Sequence, residues 1–142
     1  MKAATRESLR EWDMATKWKT LNLAEAPLEI IDGDRGKNYP KQGDFAPEGY
    51  CLFLNTGNVT ENGFNFSRCS FIAEEKDNAL RKGKLEREDV VLTTRGTVGN
   101  VAFYDERVPF KHIRINSGMV ILRAECRNIL PKFLYFLLKA CP

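Results

Sequence analysis

Gly33-Asp34-Arg35-Gly36-Lys37 sets two glycines beside a lysine, the raw material of a phosphate-cradling loop. Such a loop needs the longer spacing G-x-x-x-x-G-K followed by a hydroxyl that holds magnesium. Here the spacing is G-x-x-G-K and Asn38 stands in the hydroxyl's place, so nucleotide binding is not expected. Glu74-Glu75-Lys76 offers the E-x-K half of a metal-dependent nuclease site, yet it sits in a segment that reads as a helix, where paired charges on a solvated face explain it better. His112 is the single histidine and no G-x-S-x-G elbow occurs, which leaves a nucleophile-based enzyme without its parts. Cys51, Cys69, Cys126 and Cys141 form no C-x-x-C pair and, with one histidine, no usual zinc set. Cys51 and Cys69 read instead as small core residues. No catalytic set, metal or cofactor is expected.

Other side chains gather in the segments between apolar runs. They are Arg35, Lys37, Tyr39 and Lys41; Asn55, Thr56, Asn58 and Asn62; Thr94, Arg95, Thr97 and Asn100; and Lys111, Arg114 and Asn116. The arginine fork matches the edge of guanine and the asparagine amide that of adenine, while Lys and Thr suit phosphates. The set suggests groove reading, with Arg95 the candidate for a guanine edge and Lys37 and Lys41 the candidates for phosphates. The plainer reading is that polar loops are solvated and their glycines only set turns. An RNA or single-strand binder would need presented aromatics, for which Tyr39, Tyr50 and Tyr104 are candidates; Phe64, Phe66 and Phe103, at strand spacing, read as core. A metal-dependent nuclease using Glu74, Glu75 and Lys76 is the enzyme alternative.

The elements that must position these loops are mostly strands. A short helix is expected within residues 1–17, with capping-box spacing from Ser8 to Glu11. Alternation over Lys19–Leu23 and the run Leu28–Ile31 after Pro27 predict two short strands. Residues 32–49, with four Gly and two Pro, make a loop long enough to suggest a function. Tyr50–Leu54 and the region from Phe64 to Ile72 read as strands, 73–83 as a helix with acids first and bases last. Asp89–Thr94 and Asn100–Tyr104 form a hairpin around Arg95–Gly99, and 113–123 is a strand interrupted at Ser117-Gly118, as by a bulge. Residues 130–141 close with an apolar helix opened by Pro131.

With 142 residues the chain has room for one ordinary domain, divided as 1–17, a β-rich core over 18–125, and the terminal helix. Lys and Arg exceed Asp and Glu by 22 to 19, too small a margin to argue for nucleic acid from net charge. No apolar run approaches the roughly 20 residues of a membrane helix, and the charged N-terminus lacks the apolar core of a secretory signal, so a cytoplasmic setting is expected.

The run Leu85-Glu86-Arg87-Glu88-Asp89-Val90-Val91-Leu92-Thr93-Thr94-Arg95-Gly96-Thr97-Val98-Gly99-Asn100-Val101-Ala102 resembles the central signature of type I restriction–modification specificity subunits. There a Gly-Asp step leads through apolar residues into T-x-x-G-T-x-G; Glu88 replaces the glycine. Asp32–Pro40, Tyr50–Val59 and Arg114–Arg123 resemble other recurring segments in the same order, so the likeness covers roughly residues 30 to 125. The resemblance implies one target-recognition domain of an α+β class, a mixed, twisted or partly barrel-like sheet with flanking short helices. It implies a non-catalytic chain that reads half of a bipartite double-stranded DNA site. The implied partners are a modification subunit that methylates adenine and a restriction subunit that translocates and cleaves. Family members continue past a segment like Leu130–Leu138 into a long helix, and this sequence stops at Pro142, as a half subunit or a truncated product would. Phe136 and Leu138 are then expected to lie at a homodimer or partner interface.

Overall fold

Runs of β-branched and other apolar residues broken by Gly and Asn turns give this chain short strands, and the computed structural model, which describes residues 19–141, shows how they are layered. The strands are β1 (Leu28–Asp32), β2 (Cys51–Leu54), β3 (Val59–Thr60), β4 (Gly63–Phe64), β5 (Phe71–Ile72), β6 (Val90–Thr93), β7 (Val101–Phe103), β8 (Ile113–Ile115) and β9 (Met119–Ala124). Among the described residues the α-helices are α1 (Glu74–Ala79) and α2 (Pro131–Ala140). A four-stranded antiparallel sheet runs β1-β9-β6-β7. A second sheet runs β5-β2-β8, with β2 and β8 parallel, and β3-β4 is a small hairpin. The α+β class implied by the sequence is the class observed.

Alternation along the strands puts one set of side chains between the sheets and another outside them. Val91, Ala102, Met119 and Ile121 of the larger sheet share one buried cluster with Leu52, Leu54, Ile113 and Ile115 of the smaller. Outside the larger sheet, Val90, Val101 and Leu122 pack on Leu134 of α2, a residue whose burial contributes roughly 2 kcal/mol. Outside the smaller sheet, Cys51, Phe53 and Ile72 lie with Leu80, Tyr39 and Phe45. Arg114 alternates to that same outer face between Ile113 and Ile115 and is buried there by α1 and the turn that follows it.

Four expectations change. The region from Phe64 to Ile72 is not one strand: β4 ends at Phe64 and pairs with β3, while β5 begins only at Phe71 and pairs with β2. Residues 113–123 are two strands in different sheets, and Asn116–Gly118 is the turn that carries the chain across, rather than a bulge within one strand. Lys19–Leu23 forms no strand; Leu23–Glu25 is a single 3-10 turn, and Leu21 and Leu23 are exposed with no sheet to join. Helix α1 stops at Ala79, four residues before Gly83, because Leu80 turns extended and buries its side chain behind Phe53. The helix expected within 1–17 lies outside the described residues.

Candidate nucleic-acid interface

Strands β1, β2 and β8 end, and β6 turns into β7, at the same end of the two sheets, so four loops converge there. Their backbones touch. A Cβ on Gly33 would lie 2.3 Å from the carbonyl oxygen of Asn116, so only glycine lets the loop after β1 lie against the β8–β9 turn. Thr94 and Arg95 donate their backbone N–H groups to the Gly118 carbonyl at 2.9 and 3.2 Å, fastening the β6–β7 tip to that turn. Gly118 also lies against Thr56 of the loop after β2. Within the tip, Thr93 Oγ1 donates to the Thr97 carbonyl and accepts from the Asn100 N–H at 2.9 Å, while Gly96 and Gly99 supply the positive φ angles of 72° and 95°.

This end brings together Arg35, Asn55, Thr56, Thr94, Arg95, Thr97 and Asn116. Arg95 is exposed, and no hydrogen bond or ion pair among the described residues holds its guanidinium. Arg35 donates to the Ser117 carbonyl at 3.4 Å and lies 3.8 Å from Asp32. Asn116 Oδ1 accepts from the Gly118 N–H at 2.8 Å and Asn55 Oδ1 from the Gly57 N–H at 2.8 Å, which orders both side chains while leaving their amide donors uncommitted. Asn100 spends its amide on the Val59 carbonyl at 3.1 Å, tying β3 to the tip.

Other expected contacts stand elsewhere. Arg114 is 6% exposed, its guanidinium bound to the Asp77 carboxylate and to the carbonyls of Asp77, Leu80 and Lys82, so it has no face for DNA. Asn58 is 2% exposed, donating to the Asn65 and Arg68 carbonyls at 2.9 and 2.8 Å and accepting from the Asn55 N–H. Both are structural, because buried polar groups must be satisfied internally. Lys111 precedes β8 and so lies at the opposite end of that strand from Asn116. Asn62 sits in the β3–β4 turn, beside the Lys139 that donates to the Glu61 carbonyl from the end of α2. Tyr39 packs edge-on against Phe53, 5.7 Å between centroids, and Lys41 lies in the turn that Asp44 caps. Lys37 flanks the loop cluster beside Arg81.

Two carboxylates set the electrostatics nearby. Asp34 is buried and accepts the N–H groups of Gly36 at 2.6 Å and Arg81 at 2.7 Å, which hold its carboxyl below the ordinary value against the opposing pull of burial. For Asp77, burial pushes the carboxyl up, but Lys84 and Arg114 outweigh it and the net direction is down. The Cys51 thiol is pushed up to about 12 by burial, as a core residue's would be. Lys76 of the E-x-K run reaches Asp44 at 3.3 Å, and among the described residues no group of three or more His, Cys, Asp or Glu could hold a metal ion. Reading the sequence missed Asp34 and the basic turn Arg81-Lys82-Gly83-Lys84; the one visible signal was three cations around a glycine, which also fits the end of a helix.

No family model and no curated protein matches the chain. Solved structures do. The crystal structure of the HsdS subunit from Thermoanaerobacter tengcongensis superposes with a TM-score of 0.56 at 18% identity, over 79% of this chain and 25% of that one. This chain has the fold of part of an HsdS subunit. A chain in a structure concerned with complex assembly and conformational transition of the type I R-M system gives a TM-score of 0.59 at 17% identity, over 93% of this chain and 32% of that one. This chain thus spans between a quarter and a third of the length of those neighbours. The HsdS fold is the one that the Leu85–Ala102 signature implied. Among the described residues no helix is long and apolar enough to cross a membrane.

Proposed function

We propose that this chain reads sequence in double-stranded DNA as a non-catalytic specificity component of a cytoplasmic type I restriction–modification complex, directing adenine methylation and cleavage by partner subunits. The observation that carries the proposal is the convergence of four loops, their backbones bonded or packed together, on one end of the sheets, with Arg95 uncommitted at its tip. A guanidinium held only by its backbone is free to fork onto a guanine edge, and ordered Asn amides suit adenine. The single-strand or RNA alternative is less favoured, because the aromatics it needs are spent: Tyr104 is buried, Tyr39 packs on Phe53, and Tyr50 stacks on His112 at 4.3 Å away from the loop cluster.

The test is selection from a randomised duplex pool by the full chain with purified modification and restriction subunits present. An enriched half-site is expected, and Arg95→Ala should cost roughly 1–3 kcal/mol and relax preference at one position. Equal weakening on every sequence would make Arg95 a phosphate contact, and no enrichment at all would refute sequence reading. On α2, Tyr135 and Leu138 are half-buried against the sheet while Phe136 is 57% exposed. Phe136 thus suits the homodimer or partner contact expected of the terminal helix, and Leu138 contributes at most its edge.

A further inference from the structure

We propose that Arg81 and Lys82, with Lys37 beside them, form a ridge that grips the sugar–phosphate backbone of duplex DNA along one flank of the base-reading loops. The inference rests on the DNA-reading function proposed above and adds the side on which the backbone runs.

Asp34 is the pivot. It is 5% exposed, and its two carboxylate oxygens accept backbone N–H groups from two different segments, Gly36 in the loop after β1 and Arg81 in the turn after α1. The clamp uses the main chain of Arg81 and leaves the guanidinium outside: that side chain is 76% exposed, with a single long ion-pair distance of 3.9 Å back to Asp34. Gly83 wedges the turn from the other side. Its φ is +85°, a Cβ there would meet the Gly33 Cα at 3.2 Å, and its carbonyl accepts the Ile115 N–H at 2.9 Å. The turn is thereby fixed to the loop that approaches Asn116, so its cations stand at a set distance from the base-reading cluster. With the backbone of the turn ordered before binding, only the freedom of the side chains is left to lose when they grip phosphates.

Arg81 borders three adjoining concavities, one shared with Lys37, one with Arg35 and Lys82, and one running down between β1 and the Lys82–Glu86 segment. Not every cation in this trough is available. Lys84 is tied to Asp77, and Arg123 is tied to Asp89 at 2.9 Å and to Glu86 at 3.0 Å. Lys37 and Lys82 are exposed with no side-chain partner among the described residues, and Arg81 has only its long contact. What remains is a short row of free positive charge next to loops carrying base-reading side chains. A polyanion with regularly spaced phosphates complements it, and duplex DNA is the one whose bases those loops can reach from a groove.

The experiment measures anisotropy of a fluorescent random-sequence duplex binding to the full chain as salt rises from about 50 to 200 mM. Loss of one phosphate contact lowers the magnitude of the log–log slope by about 0.9, so Arg81→Ala or Lys82→Ala should soften the salt-induced loss of affinity by about 3.5-fold and the double variant by about twelve-fold. Arg81→Lys keeps the charge and should keep the slope. Lys111→Ala, at the far end, should also leave it unchanged, and all variants should unfold in urea like the wild type, since only exposed side-chain atoms are removed. Wild-type slopes in Arg81→Ala and Lys82→Ala, with duplex binding intact and Arg95→Ala still relaxing one position, would overturn the ridge and leave the proposed function standing. A wild type without salt-dependent duplex binding, or one preferring single strands, would overturn both.

Discussion

Replacing Arg114 by Met separates a structural guanidinium from a DNA-reading one, and the structure fixes how much should be lost. Asp77 has no exposed surface, and Arg114 is its deepest partner, while Lys84, partly in solvent, holds the other carboxylate oxygen. Removing one member of a buried ion pair costs about 3–5 kcal/mol, because the remaining charge keeps its desolvation penalty. The carbonyls of Asp77, Leu80 and Lys82, bonded at 2.8, 3.2 and 2.7 Å, lose their donor as well. Lys84 still neutralises Asp77, which holds the total near the middle of that range, about 4 kcal/mol. For a domain of this size that is a fall in Tm of about 10–15 °C, a large share of the roughly 5–15 kcal/mol that folded domains possess.

The pH dependence carries a sign. Burial pushes the Asp77 carboxyl up, and Lys84 and Arg114 more than offset it, so its folded pKa lies below the ordinary value. A depressed carboxyl contributes stability that is present above the unfolded pKa and is lost as pH falls through the folded one. Without Arg114 the opposing pull weakens and the folded pKa rises, so the variant's deficit is largest near neutrality and shrinks in acid. Urea unfolding followed by circular dichroism at pH 7 and pH 4 measures both effects. Asp77→Asn combined with Arg114→Met should lose less than the sum of the single changes, by about 1–3 kcal/mol, since neither charge is then stranded. An Arg114→Met protein within about 1 kcal/mol of wild type that nevertheless binds DNA poorly would refute the structural assignment.

Glu88 adopts φ +73°, a left-handed conformation that costs a side-chain-bearing residue roughly 1–2 kcal/mol, and its N–H donates to the Tyr104 carbonyl at 2.8 Å whatever the side chain. Glu88→Gly should therefore raise stability by about 0.5–1 kcal/mol after glycine's extra unfolded-state entropy is counted, as read by the urea midpoint, whereas Glu88→Ala should not; a destabilised glycine variant would show that the strain is absent. Phe136→Asp should fold with a near-wild-type Tm, because the ring is more than half exposed, and should weaken dimer or modification-subunit binding in analytical ultracentrifugation; unfolding of the variant would place the ring in the core instead.

The departure at Glu88 is legible in the sequence: the resembling signature carries glycine there, and the structure supplies the reason, a backbone angle that glycine adopts without strain. The β6–β7 hairpin was legible for a similar cause, since two glycines flanking Thr97-Val98 between β-rich runs leave the chain few alternatives. Residues 113–123 were harder. Their side-chain alternation is that of a strand, and it continues in phase through Asn116–Gly118 whether the chain bulges or changes sheet; only the pairing of Ile113–Ile115 with β2 and of Met119–Ala124 with β1 and β6 decides. Arg114 and Asn58 were illegible as structural residues. Their burial depends on α1 and on the Asn65–Arg68 segment folding over them, contacts between elements that no local pattern encodes.

That failure shows how the candidate interface is built. An arginine in a short strand and an asparagine in a turn have the same composition value as Arg95 and Asn116, and what separates them is how many of their donors the fold has already used. Arg114, Arg123 and Lys84 answer buried carboxylates at Asp77 and Asp89, and Asn58 answers backbone carbonyls, so each is fixed by the requirement that buried polar groups be paired. Arg95, Lys37 and Lys82 answer nothing within the described chain, and Arg81 answers only at 3.9 Å. All four lie on or beside the end where the backbones of four loops are pinned together by Gly33, Gly118 and Asp34. Uncommitted charge on a pinned backbone suits a sequence reader, because the donors are free for the bases and phosphates while only side-chain freedom, not loop freedom, is lost on binding.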